Sequence, residues 1–135
     1  MKILIDTNVI LDFALERQPF YPESEQIFLL AEQKHIESYV SGATFGDLYY
    51  IIRKGKGKDW TMRFLNRLAT FCQVATVNQS VITMALTANF RDFEDAIQYS
   101  TAVVNQLDVI VTRDSQDFPV TTPRILTPTQ LIQEL

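Results

Sequence analysis

The chain has one cysteine, Cys72, and one histidine, His35, in 135 residues. A single cysteine excludes an intrachain disulfide and a cysteine-based zinc site, and it suits a reducing, cytoplasmic setting. A single histidine excludes histidine-rich metal centres and metalloprotease motifs. Any metal ion bound here is therefore held mainly by oxygen. No apolar run approaches the roughly 20 residues of a membrane span. Asp6 and Asp12 interrupt what would be the apolar core of a signal peptide. Repeats, low-complexity tracts and linkers are also missing. No G-x-G-x-x-G follows the first apolar run, which disfavours a dinucleotide-binding fold. Basic residues are outnumbered, 12 Lys and Arg against 16 Asp and Glu, for a net charge of -4. That balance argues against a protein that coats nucleic acid generically.

What remains is the composition of one globular domain over residues 1–135, with 47% hydrophobic and 21% charged residues. Strand and helix patterns alternate. Residues 2–5, 37–41, 74–77, 109–112 and 125–126 read as strands. Residues 8–17, 22–35, 44–54, 59–71, 80–88 and 92–106 read as helices. Pro19 and Pro22 stop the first helix, and residues 53–58, RKGKGK, form a basic turn. Thr127 caps a last helix, with Pro128 at its first position and Gln130 closing a capping box. Strands separated by helices pair in parallel. The runs ILI and VIV are apolar on both faces, as central strands of a doubly covered sheet are. The expected fold is a three-layer α/β/α sandwich with a central, mainly parallel sheet. Ligands of such sheets bind beyond the carboxyl ends of the strands.

Asp6 ends the first central strand, and Asp114 stands just past the other, in IVTRDSQDF. For either alone, the plain alternative is a polar residue that begins a turn. Two helix starts bring further acids. Asp47 follows Thr44 by three residues, and Asp95 follows Asp92 by three. Both pairs fit capping boxes, yet such starts often lie at the same rim. Phe93, Ala96, Ile97, Ser100, Val103 and Val104 are expected as the buried stripe of the second of these helices. Glu94, Gln98, Thr101 and Asn105 then take the wetter side, leaving Asp92 as a cap and Asp95 as the inward acid. Asp12, nearly two helical turns after Asp6, reads as a helix-surface acid. Converging carboxylates repel and raise one another's pKa unless a cation sits among them. Hard oxygen ligands suit Mg2+ or Mn2+, and such ions support hydrolysis of phosphodiesters.

The segment MKILIDTNVILDFALE resembles the opening of PIN-domain nucleases. VSGATFGDLYYIIRK, FEDAIQYSTA and VIVTRDSQDF resemble the later motifs of that family, in the same order and spacing, across essentially the whole chain. The resemblance implies a PIN-like fold with a Mg2+- or Mn2+-dependent endoribonuclease site. Many small bacterial members resemble VapC-like toxins, which implies an RNA substrate, a small antitoxin protein as partner and a homodimer, with no membrane association. Carried over by position, the catalytic and metal-ligating acids are Asp6, Asp47, Asp95 and Asp114. Thr7, Asn8 and Thr112 match supporting polar positions, and Asp117 matches a further acid. Asp92 competes with Asp95 for the third acidic role. The second acid is usually Glu in this family, and Asp47 is one methylene shorter.

Arg53, Lys54, Lys56 and Lys58 make up four of the 12 basic residues and, with Arg113, are candidate RNA contacts. A solvated turn and a structural ion pair for Arg113 are the plain alternatives. Tyr49, Tyr50 and Trp60 could stack bases, although aromatics on helices more often serve a core or a subunit interface. Two other functions stay open: a PIN-type RNase with no antitoxin, and a catalytically weak PIN fold that binds RNA or protein. A phosphoacceptor receiver domain wants paired acids early and a lysine after a late strand, where Arg113 and Asp114 stand instead.

Overall fold

β-branched and leucine side chains without a polar interruption make β1 (Lys2–Ile5) and β4 (Val109–Val111) strands that are buried on both faces. The computed structural model describes all 135 residues. In chain order, β1 is followed by α1 (Thr7–Ala14), α2 (Tyr21–Glu32), β2 (Glu37–Ser41), α3 (Thr44–Lys56), α4 (Lys58–Phe71) and β3 (Gln73–Ala75). Then come α5 (Gln79–Thr87), α6 (Phe93–Val104), β4, a single 3-10 turn (Ser115–Asp117), β5 (Arg124–Leu126) and α7 (Pro128–Glu134). All five strands are parallel, in the order β3-β2-β1-β4-β5. The chain builds outward from β1 to β3 on one side, then returns to place β4 on the other. The strand order therefore reverses between β1 and β4, the position where open α/β sheets hold ligands.

The period-2 alternation of the strands divides the core into two layers. Ile3, Ile5, Val109 and Val111 point into the larger apolar cluster, shared with α1, α2, α3, α4 and α7. Leu4 and Ile110 point the other way, onto Ala102 and Leu107 beside α6. Ile3 pairs with Val109 and Ile5 with Val111, so the two central strands stay in phase. This is the expected three-layer α/β/α sandwich with a parallel sheet. No helix is long and apolar enough to cross a membrane.

Several boundaries differ from those the sequence suggests. α1 ends at Ala14 rather than Arg17, because Glu16 turns left-handed (φ 51) before either proline is reached. The basic segment is not a turn: α3 runs through Arg53, Lys54 and Lys56. Cations in a last helical turn complement the negative end of the dipole, which offsets the propensity cost of Gly55. Only Gly57 (φ 81) breaks the chain before α4 begins. β3 lies one residue earlier than expected and ends two earlier. At the start of α3 the N-cap is Ala43, with no side-chain cap, so Thr44 and Asp47 do not form a capping box. The box at Thr127 and Gln130 does form.

Ile110 is fully enclosed between β1, β5 and the smaller cluster. Ile110→Ala is expected to destabilise the protein by about 2–5 kcal/mol, measured by urea unfolding. Thr127→Ala removes only a cap and is expected to cost about 1 kcal/mol.

Candidate active site

Asp6 occupies the end of β1 and the N-cap of α1 at once. Its N–H still bonds to Val111 O on β4 (3.0 Å), while its extended backbone (φ -69, ψ 153) turns the chain into the helix. The carboxylate is thus delivered at the strand-order reversal. It is only 6% exposed. Burial of a carboxylate is unfavourable unless hydrogen bonds replace water, and three donors do so. Oδ1 accepts from Thr7 N (2.8 Å) and Gln98 Nε2 (3.0 Å); Oδ2 accepts from Thr112 Oγ1 (2.8 Å). Burial and the nearby Asp114 push the Asp6 carboxyl above its ordinary range, against the pull of these three hydrogen bonds.

Thr112 links Asp6 to the end of β4. Its hydroxyl accepts from Asp114 N (3.1 Å) and lies 3.3 Å from Asn8 Nδ2. Asn8 also donates to Asp114 Oδ2 (3.1 Å), and its own Oδ1 accepts from Arg113 N (3.2 Å). Thr7, Asn8 and Thr112 therefore form one network joining Asp6 to Asp114.

A cleft of about 260 Å³ opens beside Asp6, lined also by Thr44, Asp47, Asp95 and Gln98. Asp47 reaches it from the first turn of α3 and Asp95 from the first turn of α6. Asp114 lies outside this lining. Asp95 also borders a second hollow with Arg91, Asp92, Gln116, Asp117 and Pro119. Asp92 caps α6 through Glu94 N (2.8 Å). The Asp95 carboxyl is pushed up to about 7, first by burial and then by the charges of Asp6, Asp92, Asp117 and Asp114. No three carboxylates stand where a single cation would touch them all. The donor set nonetheless fits a hard cation: it is oxygen only, and Asp95 carries the strain of a negative field that no side-chain cation relieves.

Several residues lie elsewhere than the sequence suggests. Asp12 is not a surface acid: its side chain is 2% exposed, with Oδ2 3.0 Å from Arg113 Nε and Oδ1 3.9 Å from Arg17. Arg113 also stacks on Phe20, its guanidinium carbon 4.0 Å from the ring centre. Arg113 is thus drawn into an ion pair away from the cleft. Helix α6 is rotated relative to the expected stripe. Gln98 and Thr101 are buried, whereas Phe93 is 48% exposed and Val103 and Val104 are half-buried. Glu94 is exposed, yet it lines the cleft. The sequence does carry a signal for Gln98, since residues three apart on a helix share a face and Asp95 reads as the inward acid. Thr44 hides in the same way behind an apparent cap; its hydroxyl lies 3.3 Å from both Gln98 Nε2 and Thr7 Oγ1. Arg53, Lys54, Lys56 and Lys58 are exposed. Arg53 lies over Tyr49 and Tyr50, and Lys56 over Trp60.

Between the ordinary carboxyl value of 3.8 and about 7, folded Asp95 keeps a proton that the unfolded chain has released. The native state binds more protons there, so stability falls as pH rises through this window. In metal-free protein the melting temperature is expected to drop from pH 5 to pH 8, and Asp95→Asn should flatten that drop. Parallel losses in the two proteins would contradict the assigned surroundings of Asp95.

The sequence pattern of the PIN domain family matches residues 2–116. Among curated proteins none matches. Among solved structures, a toxin-antitoxin complex from Klebsiella pneumoniae contains a chain that superposes with a TM-score of 0.71 at 23% identity, covering 93% of this chain and 97% of that one. VapBC-1 from nontypeable Haemophilus influenzae gives 0.70 at 15% identity, with 96% and 99% covered. VapC20 of Mycobacterium tuberculosis, a sarcin-ricin loop cleaving toxin, gives 0.63 at 14% identity, with 80% and 86% covered. These likenesses concern the fold. The family match runs from β1 to the turn after β4 and so takes in both strands of the reversal point; the chain belongs to the PIN domain family.

Proposed function

We propose that this protein is a metal-dependent endoribonuclease that hydrolyses RNA phosphodiester bonds, and that it is the toxin of a toxin–antitoxin pair. The observation that carries the reading is the delivery of Asp6, Asp47 and Asp95 into one cleft at the sheet's reversal point, with no imidazole or thiolate near it. Asp6, Asp47, Asp95 and Asp114 would hold Mg2+ or Mn2+, with Thr7, Asn8 and Thr112 fixing the first and last of these acids. When bound, such an ion supplies Lewis acidity for water activation and for the leaving oxygen. The protein's own part is orientation: Asp6 is held by three donors, and Asp95 gives up a proton when a cation enters. Arg53, Lys54 and Lys56 lie about 9–14 Å along α3 from Asp47, and Lys58 opens α4 just beyond Gly57; these cations could contact the phosphates of a bound strand without reading its sequence.

The toxin reading draws on the fold's likeness to chains from toxin–antitoxin complexes. It brings with it a small antitoxin protein as partner, a homodimer and a cytoplasmic setting, where the single buried thiol of Cys72 stays reduced. Two observations favour a second reading, a catalytically weak PIN fold that binds RNA or protein: Asp47 is exposed, and no three acids share a ligating position.

Purified protein is expected to cleave single-stranded RNA with Mg2+ or Mn2+ and to stop when a chelator is added. Asp6→Asn should lower the cleavage rate by at least about a hundredfold, more than loss of an outer-shell partner usually does, with far-UV circular dichroism unchanged. Wild-type cleavage by Asp6→Asn would remove the assignment, and absence of cleavage by wild type with either ion would favour the binding module. Asp47→Glu lengthens the acid by one methylene; equal or higher activity fits a ligand role, and a loss speaks against one. Expression should arrest bacterial growth, relieved by Asp6→Asn; growth without arrest would leave a nuclease that is not a toxin.

A further inference from the structure

Gln98 is the side chain that ties the acid-bearing elements together. It sits on α6, three residues after Asp95, and is 5% exposed. Its Nε2 donates to Asp6 Oδ1 (3.0 Å) and lies 3.3 Å from Thr7 Oγ1 on α1 and from Thr44 Oγ1 on α3. The orientation of the amide is fixed by chemistry, because a carboxylate oxygen only accepts and so must face the nitrogen. That leaves Gln98 Oε1 buried with no partner. A buried acceptor without a donor is unfavourable, and an apolar residue of the same length would avoid it. The amide stands where its nitrogen meets Asp6.

The consequence lies in the lone pairs of Asp6. A carboxylate offers about four acceptor positions, two on each oxygen. Thr7 N and Gln98 Nε2 fill both positions of Oδ1. Thr112 fills one on Oδ2 and leaves one open. Without Gln98, both oxygens would have a free position.

We propose that Gln98 is a positioning residue that sets the cation selectivity of the site, by restricting Asp6 to ligation through Oδ2 alone. This rests on the metal-site reading above. Mg2+ demands compact octahedral geometry and takes carboxylates through single oxygens, whereas Ca2+ accepts a carboxylate through both. Occupying Oδ1 with an amide therefore discriminates against Ca2+ while leaving Mg2+ its ligand. The residue acts through Asp6 and touches neither ion nor substrate.

The test uses the full chain and the ions alone. Mn2+ binding is followed by electron paramagnetic resonance, and the concentrations of Ca2+ and Mg2+ that displace half of it are compared. In Gln98→Met, which keeps length and removes the donor, the ratio of the two is expected to move toward Ca2+ by about tenfold or more, the usual scale of an outer-shell effect. Gln98→Asn keeps the amide one methylene short of Asp6 and should move the ratio the same way, which preserves the test if the Met variant fails to fold. A merely structural Gln98 would weaken both ions in step or lower the melting temperature, with the ratio unchanged; that result overturns the proposal. If the wild-type chain binds no Mn2+ at all, the metal-site reading falls first and this one with it. If it binds and the ratio is fixed, only the role of Gln98 falls.

Discussion

A single buried carboxylate organises the molecule's working end. Asp6 must leave water when β1 is packed between two layers, and a buried charge is tolerated only where donors replace its hydration. Those donors come from three places that are distant in sequence: the start of α1, the end of β4 and the middle of α6. The strand order β3-β2-β1-β4-β5 brings the first two side by side, and the packing of α6 on the smaller core cluster brings the third. Solvating one acid thus requires the whole topology to be in place.

The same arrangement explains why the cleft is polar in a chain with so ordinary a composition. Strands β1 and β4 spend their apolar residues on the two core faces and have none left for the rim. What emerges beyond them is hydroxyl, amide and carboxylate. Thr7, Asn8, Thr44, Gln98 and Thr112 share out a small number of hydrogens among a larger number of oxygens. A network with that imbalance is held in shape by its donors and stays short of positive charge. The arrangement favours an incoming cation over an incoming anion.

How much of this could be read from the residues follows from the kind of signal each element carries. The central strands are legible because three apolar residues in a row, bounded by polar ones, admit few other readings, and Asp6 and Asp114 are found by counting from their ends. The Thr127 cap is legible because its chemistry is local. Helix phase is harder. Phe93 is the most apolar residue at the start of α6 and pulls the expected stripe toward itself, yet it is left exposed, and a glutamine takes the inward position because an acid on another element needs a donor. Asp12 is misread for a related reason: its partner, Arg113, is about a hundred residues away in sequence, and only the pairing of β1 with β4 brings them together. The basic segment looks like a turn because glycines mark turns, whereas the charges flanking Gly55 sit where a helix end welcomes them.

The pairing of Asp12 with Arg113 reaches beyond its own ion pair. Arg113 is the residue immediately before Asp114, so chain connectivity places its guanidinium close to the acid at the end of β4. Asp12 and the face of Phe20 hold it outside the cleft lining. Had that guanidinium been free to fold back, the molecule would carry its own permanent counterion and the cleft would be electrically quiet. By detaining it, a buried aspartate outside the cleft lining keeps the cleft's charge unbalanced, and an unbalanced charge is one that a diffusible ion can settle.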